Sequence, residues 1–251
     1  MPVHRPDYSQ LPQYRKIFFL ASGGRDSTAM ILEAHRQGIN GTMVCSDTRV
    51  ARSGAHEVLE RLADYTDYEL VLVQYQGEKT PADILKESFS LLPVAQERLK
   101  TSKSSPKNTF PCCYHLKHRP MDQYLADLDK EDVVLIMGIK GGDGALHRRY
   151  RLAQIRKLDQ FWRQHKAGFL FYYPLRDCND SDINMILDEH GFNDVQSSGC
   201  SICPIFLVYP SMRKKDPKTW LRSVAFARRL GVEFPEAYQT QLEKFCSGVV
   251  V

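Results

Sequence analysis

Short apolar runs alternate with helix-periodic stretches along the first three quarters of the chain. Ile17–Ala21, Thr42–Cys45, Leu70–Tyr75, Val133–Gly138 and Phe169–Tyr173 are each bounded by turn or helix-start residues. Their length and branched or aromatic content predict five buried strands. Between them, Ser27 to about Gln37 predicts a helix that Gly38 stops, and Ser53–Ala63 carries Val58, Leu59 and Leu62 at helical spacing. Further helices are predicted from Pro81 to Leu92, from Cys113 to Leu128, and over Asp182–His190. Asp180 or Ser181 caps the last of these and Gly191 closes it. Strands alternating with helices imply a parallel sheet covered on both faces, so the expected fold is α/β, doubly wound, with a mostly parallel five-stranded sheet. Thr101–Pro111 has loop composition. After Pro210 the chain turns basic, and Lys214–Leu230 and Phe234–Phe245 predict a small helical extension. The expected organisation is an N-terminal arm over 1–15, a main domain over 16–210 and a basic C-terminal extension over 211–251.

Composition narrows the class. At 43% hydrophobic and 25% charged, the chain is neither a disordered tail, nor collagen-like, nor a coiled coil. Its 251 residues are enough to bury a core without disulfide staples. Met1–Lys16 is too polar for a signal peptide, and the apolar runs are far too short to span a bilayer. A soluble cytoplasmic protein that makes no use of a membrane is expected. The net charge of +4 suits an anionic ligand without demanding nucleic acid. Seven cysteines is an odd number for a disulfide framework. In a reducing compartment, clustered thiols point instead to metal or catalysis.

The first predicted strand runs directly into Ser22-Gly23-Gly24-Arg25-Asp26-Ser27-Thr28 and then a helix. Two glycines permit a tight turn that aims backbone N–H groups at an anion, and the helix start adds its dipole. Hydroxyls of Ser22, Ser27 and Thr28 can donate to phosphate oxygens, and Arg25 adds charge at the rim. Asp26 repels phosphate, so its role is to cap the loop or to hold a magnesium ion. The spacing of a Walker A loop is absent. The segment resembles the PP-loop, SGG-x-D-[ST], of the adenine-nucleotide alpha-hydrolase superfamily.

That resemblance continues along about residues 16–206. Ser46-Asp47-Thr48 after the second strand, Met137-Gly138-Ile139-Lys140 after the fourth, and Tyr173-Pro174-Leu175 followed by Asp180-Ser181-Asp182-Ile183 are similar to segments of the phosphoadenylyl-sulfate (PAPS) reductase family, in its order. Lys140 stands where that family has arginine. The resemblance implies that Ser22–Thr28, Asp47 and Gly138 bind ATP with magnesium, and that Lys140, Asp26 and Arg148 act in catalysis. Beyond Lys140 the likeness weakens, with Asp143, Gly144 and His147 standing where the family has Glu, Ser and Arg. Arg148 takes over the last arginine's role by a one-residue slip.

Cys112-Cys113 and Cys200-x-x-Cys203 supply four thiols. Four thiolates suit a [4Fe–4S] cluster or a tetrahedral zinc. The CC…CxxC arrangement resembles the cluster set of adenylyl-sulfate reductases, and the Gly-Cys-x-x-Cys-Pro context that of DNA-phosphorothioation PP-loop proteins. Both resemblances imply the cluster. Lys117 and Arg119 follow the pair at helical spacing, where the family keeps residues that bind an anion near the cluster. Cys45 reads as core, Cys178 as a turn residue without a partner, and Cys246 lacks the Glu and His that flank the reductase nucleophile.

The resemblance therefore implies a cluster-bearing ATP pyrophosphatase that adenylates an acceptor for sulfur transfer, with nucleic acid among the candidate acceptors. A sulfur donor or reductant protein would be its partner, and a homo-oligomer its assembly. Two other readings stay open: a reductase of adenylyl sulfate or PAPS, and a non-catalytic cluster protein that binds nucleic acid through the basic tail with Trp220 and Phe226.

Overall fold

The computed structural model describes residues 4–12, 15–101, 110–141, 155–158, 161–165, 168–209, 214 and 216–232. They divide into two compact units, Met1–Gly77 with Tyr114–Cys200, and Glu78–Cys113 with Ser201–Val251. This division differs from the expected 16–210 and 211–251. A segment from the middle of the chain joins the C-terminal residues in the second unit.

The first unit is built on β1 (Lys16–Leu20), β2 (Thr42–Asp47), β3 (Leu70–Gln74), β4 (Val133–Met137), β5 (Ile155–Lys157), β6 (Trp162–His165) and β7 (Leu170–Tyr172). They form one sheet in the order β3-β2-β1-β4-β7-β6-β5. The five strands from β3 to β7 are parallel, and β6 and β5 extend them antiparallel. The sheet thus has seven strands rather than the expected five. The extra hairpin escaped the pattern because Ile-Arg-Lys and Trp-Arg-Gln-His carry no apolar run.

Alternate residues of each central strand enter different cores, as a pleated sheet covered on both faces requires. Phe19, Met43, Val134 and Ile136 pack with α1 (Arg25–Arg36), α2 (Ala55–Thr66) and α7 (Asp180–Glu189) on one face. Their neighbours Phe18, Val44, Val133 and Leu135 pack with Leu125 and Met121 of α6 (Arg119–Ala126) on the other. The connections match local chemistry. Asn179 caps α7 by accepting from the amides of Ser181 and Asp182, and Gly38 and Gly191 take positive φ just after their helices.

Residues 4–12 dock on this unit. The Tyr8 hydroxyl donates to the Met30 carbonyl, and Gln37 Nε2 donates to the Pro6 carbonyl at 2.7 Å. Arg5 bridges Glu33 and Glu189, while Arg36 Nη2 meets Glu33 at 2.9 Å. Glu33 is 0% exposed, so these two guanidiniums are what make its burial tolerable.

The second unit is helical: α3 (Pro81–Ser90), α4 (Leu92–Thr101), α5 (Pro111–Cys113), α8 (Ile205–Val208) and α9 (Pro217–Arg229). Thr80 and Asp83 form a capping box on α3. Phe89 and Phe226 meet edge to face with centroids 4.9 Å apart, and Trp220 is only 2% exposed. Trp220 is therefore a core residue, not a stacking ring for nucleic acid. The expected helix over 234–245 lies outside the described residues. No helix among them is long and apolar enough to cross a membrane.

Glu33→Ala removes the buried carboxylate that ties the part-exposed Arg5 and Arg36 to α1, while Arg5 keeps Glu189. Equilibrium urea unfolding is expected to show a loss of about 1–2 kcal/mol, and Glu33→Gln a smaller one.

Candidate functional site

The loop between β1 and α1 is shaped for an anion. Gly23 turns the chain at φ +64°, and Gly24 precedes α1 without any side-chain cap. The helix's first amides are thus left for a ligand or water. The Ser22 and Ser27 hydroxyls lie 2.9 Å apart, and Ser27 Oγ donates to the Gly24 carbonyl at 3.0 Å. Thr28 is fully buried, and its Oγ1 has no hydrogen-bond partner.

Three close approaches explain the glycines here. A Cβ on Gly23 would lie 2.3 Å from the Ala55 carbonyl oxygen, and one on Gly24 would lie 2.6 Å from the Ser198 amide nitrogen. One on Gly138, just past β4, would lie 2.9 Å from the Asp26 carbonyl oxygen. Gly138 therefore lets the end of β4 rest against the first turn of α1. Two residues on, Lys140 Nζ sits 2.9 Å from both Asp26 carboxylate oxygens and 2.9 Å from Asp180 Oδ1. The Lys140 ammonium holds the Asp180 carboxyl below the usual carboxylate range.

These groups border a cavity of about 600 Å³ at the carboxyl ends of β1, β2 and β4, the usual ligand position in an open α/β sheet. Ser22, Gly24, Arg25, Asp26, Ser27, Gly138, Lys140 and Lys117 all line it. Gly23, Thr28, Asp47 and Arg119 do not. Arg148, Asp143, Gly144 and His147 lie outside the described residues, as does Cys246.

Lys117 arrives on a π-helical turn, Tyr114–His118, which precedes α6. The Lys117 carbonyl accepts the Ser46 hydroxyl at 2.8 Å, tying this turn to the end of β2. Asp47 is 7% exposed and fully engaged: Oδ1 accepts the Arg49 amide at 2.8 Å, and Oδ2 accepts Gln74 Nε2 at 2.7 Å. His56 at the start of α2 lines the cavity in its place, with Nε2 3.3 Å from Asp47 Oδ1.

Two wall segments carried no warning in the pattern. Residues Ser197–Cys200 line the cavity beside Gly24. They are pinned by Arg52, whose Nη1 donates to the Ser197 carbonyl at 2.9 Å and whose amide donates to the Gly199 carbonyl at 3.0 Å. Asp180 also lines the cavity, although its place in the sequence suggested only a helix cap. The Ser-Ser-Gly ahead of Cys200 and the histidine opening α2 were the available signals.

Cys200 thus closes the first unit on the cavity wall. Cys112, Cys113 and Cys203 belong to the second. There, two cysteine backbones are held the same way. The Cys112 amide donates to Ser88 Oγ at 3.0 Å and the Cys203 amide to Ser223 Oγ at 2.9 Å. Each hydroxyl in turn donates to a carbonyl one helical turn back. The neighbouring Cys113 thiol, then burial, then charge on Cys113 and Cys203 push the Cys112 thiol far up. Thiols that oppose one another's ionisation in this way fit a cationic metal centre, which would relieve the repulsion. Among the described residues, no three cysteine sulfurs lie within 4.8 Å of one another. Cys178 has a partner after all, donating to the His4 carbonyl at 3.3 Å.

No family model and no curated protein matches the sequence. Solved structures do match the fold, which is HUP-like. The U34-tRNA thiolase NcsA from Methanococcus maripaludis, solved with its [4Fe–4S] cluster, aligns with a TM-score of 0.51 and 14% identity over 92% of this chain and 78% of that one. The PAPS reductase from Candida auris, in a phosphate complex, gives 0.46 and 12% over 75% and 76%. A predicted tRNA methyltransferase subunit from Methanocaldococcus jannaschii gives 0.37 and 15% over 74% and 96%. At 14% identity the match to the thiolase is a likeness of fold.

Burial pushes the Cys45 thiol up to about 11 and the Cys178 thiol up to about 12. Both remain protonated at pH 8 while folded. Iodoacetamide at that pH is expected to spare them until denaturant is added, as read by peptide mass mapping. Gly24→Ala, which drives a methyl into the Ser198 backbone, is expected to destabilise the fold by about 1–3 kcal/mol, read as a lower midpoint in urea unfolding.

Proposed function

We propose that this chain is a PP-loop adenylating enzyme that binds ATP in the cavity between β1, β2 and β4. It would activate an acceptor oxygen for replacement by sulfur. The observation that carries the reading is the convergence on one cavity of the uncapped Ser22–Ser27 loop and Lys140. Its volume falls in the range of small-ligand sites.

In this reading the acceptor oxygen attacks the α-phosphorus, and the bond to the β-phosphate oxygen breaks. Pyrophosphate departs into the Ser22–Ser27 loop, whose amides and hydroxyls take up its charge. Lys140 exchanges one carboxylate for the phosphates, so its ammonium meets the charge that develops as that bond breaks. Arg148 is assigned the same task at the α-phosphate. Asp26 would hold magnesium, which supplies neutralisation of the leaving group. A sulfur donor then attacks the activated carbon and AMP leaves. Lys117 and Arg119 provide positive charge for the acceptor, with nucleic acid as the candidate class.

Cys112, Cys113, Cys200 and Cys203 are proposed as the ligands of a [4Fe–4S] cluster. With all four iron positions filled by cysteine, the cluster would supply structure, charge or electron transfer. The presence of a [4Fe–4S] cluster in the thiolase of similar fold supports this assignment.

ATP–pyrophosphate exchange tests the function. Exchange is expected with magnesium and the correct acceptor, and Lys140→Ala should reduce it by about 10²–10³-fold. Sulfite release from adenylyl sulfate or PAPS without exchange would replace the reading with a reductase. Salt-sensitive nucleic-acid binding with neither activity would replace it with a binding protein. For the cluster, anaerobically purified protein should be coloured and contain iron and sulfide, and Cys203→Ser should lower both. Colourless protein containing zinc would refute the cluster.

A further inference from the structure

The cavity lining is of two chemical kinds. The loop from Ser22 to Ser27 and Lys140 supply charge and hydrogen bonds for an anion. Ala21, Cys45, Ala51, Ala55 and Leu59, from the ends of β1 and β2, the β2–α2 connection and the start of α2, supply small apolar walls. Such walls suit a flat ring, but by themselves they do not distinguish one ring from another.

His56 lies in this lining and is 42% exposed on its side chain. Its Nε2 lies 3.3 Å from Asp47 Oδ1. That carboxylate is itself fixed by the Arg49 amide and the Gln74 side chain and does not reach the cavity. An ionised carboxylate only accepts hydrogen bonds. With Nε2 set toward that carboxylate, the Nε2–H tautomer of the imidazole presents Nδ1 as an acceptor. Nδ1 has no hydrogen bond among the described residues.

Nearby, Ser46 already donates to the Lys117 carbonyl, Thr48 Oγ1 already accepts the Val50 amide at 3.4 Å, and Lys117 is donor-only. His56 Nδ1 is a ring acceptor in this lining that carries no such bond.

We infer that His56, oriented by Asp47, determines base specificity by accepting a hydrogen bond from the exocyclic amino group of the nucleotide's purine. This rests on the nucleotide reading above and deepens it. A 6-amino purine presents a donor to Nδ1. A 6-oxo purine presents a carbonyl oxygen, which sets two lone pairs against each other. Asp47 is then a positioning residue, acting through His56 rather than touching the ligand.

The test is equilibrium binding of ATP and of ITP, each with magnesium, to the full-length protein by calorimetry. Pyrophosphate serves as a base-free control on the wild type. The wild type is expected to prefer ATP by about tenfold or more, the scale of one hydrogen bond gained against one repulsion. His56→Leu should bring the two nucleotides within about threefold. His56→Gln, whose Oε1 can accept, should restore part of the preference, and Asp47→Asn should erode it. Melting temperatures report whether each variant folds; if His56→Leu does not, His56→Phe, a ring without an acceptor, replaces it, and preference equal to the wild type in that variant overturns the inference. Full ATP preference in folded His56→Leu overturns it, as does a wild type that binds both nucleotides equally. In both of those cases the nucleotide reading survives. A wild type that binds pyrophosphate but neither nucleotide overturns both.

Discussion

The candidate site depends on how closely the end of β4 approaches the first turn of α1. At Gly138 there is no room for a side chain: a Cβ would stand 2.9 Å from the Asp26 carbonyl oxygen and 3.0 Å from the Ser27 amide nitrogen. That approach brings Lys140 within reach of Asp26 and sets positive charge beside an uncapped helix start. A larger residue at 138 would part strand from helix, and the loop and the lysine would no longer share a cavity. The parallel pairing of β1 with β4 makes the approach possible, because both strands then end at the same edge.

Around this point the structure fills its charges in advance. Lys140 is held between Asp26 and Asp180, so an anionic ligand would have to compete with carboxylates for it. Such an exchange would keep the ammonium paired in either state, which limits the cost of leaving it half-buried. Asp47 works the same way at one remove. Saturated by its neighbours, it stands beside His56 rather than in the cavity lining.

The cysteines reflect the division of the chain. Cys200 stands on the cavity wall, in a segment pinned by Arg52 and packed against Gly24. Cys112 and Cys203 are each anchored through their amides by a buried serine within the helical unit. Ser88 and Ser223 were silent in the sequence. A serine in a helix interior reads as neutral, and only the fold reveals which amide it receives.

Periodicity and turn chemistry were enough to identify the five parallel strands, the main helices and the anion loop. These follow from local rules: buried strands need unbroken apolar runs, and a tight loop before a helix needs glycine. Which glycine mattered most was not local. Gly138 is required by a backbone more than a hundred residues away. Tertiary structure likewise added the β5–β6 hairpin, whose strands are too short and polar to announce themselves. It moved Asp47 from the cavity to the support behind it, and it brought His56, Asp180 and Ser198 to the wall. The sequence by itself determined the elements and the chemistry of the anion loop, because both are written in neighbouring residues. Only the fold decided which distant side chains face that loop, because that depends on how the strands are ordered in the sheet.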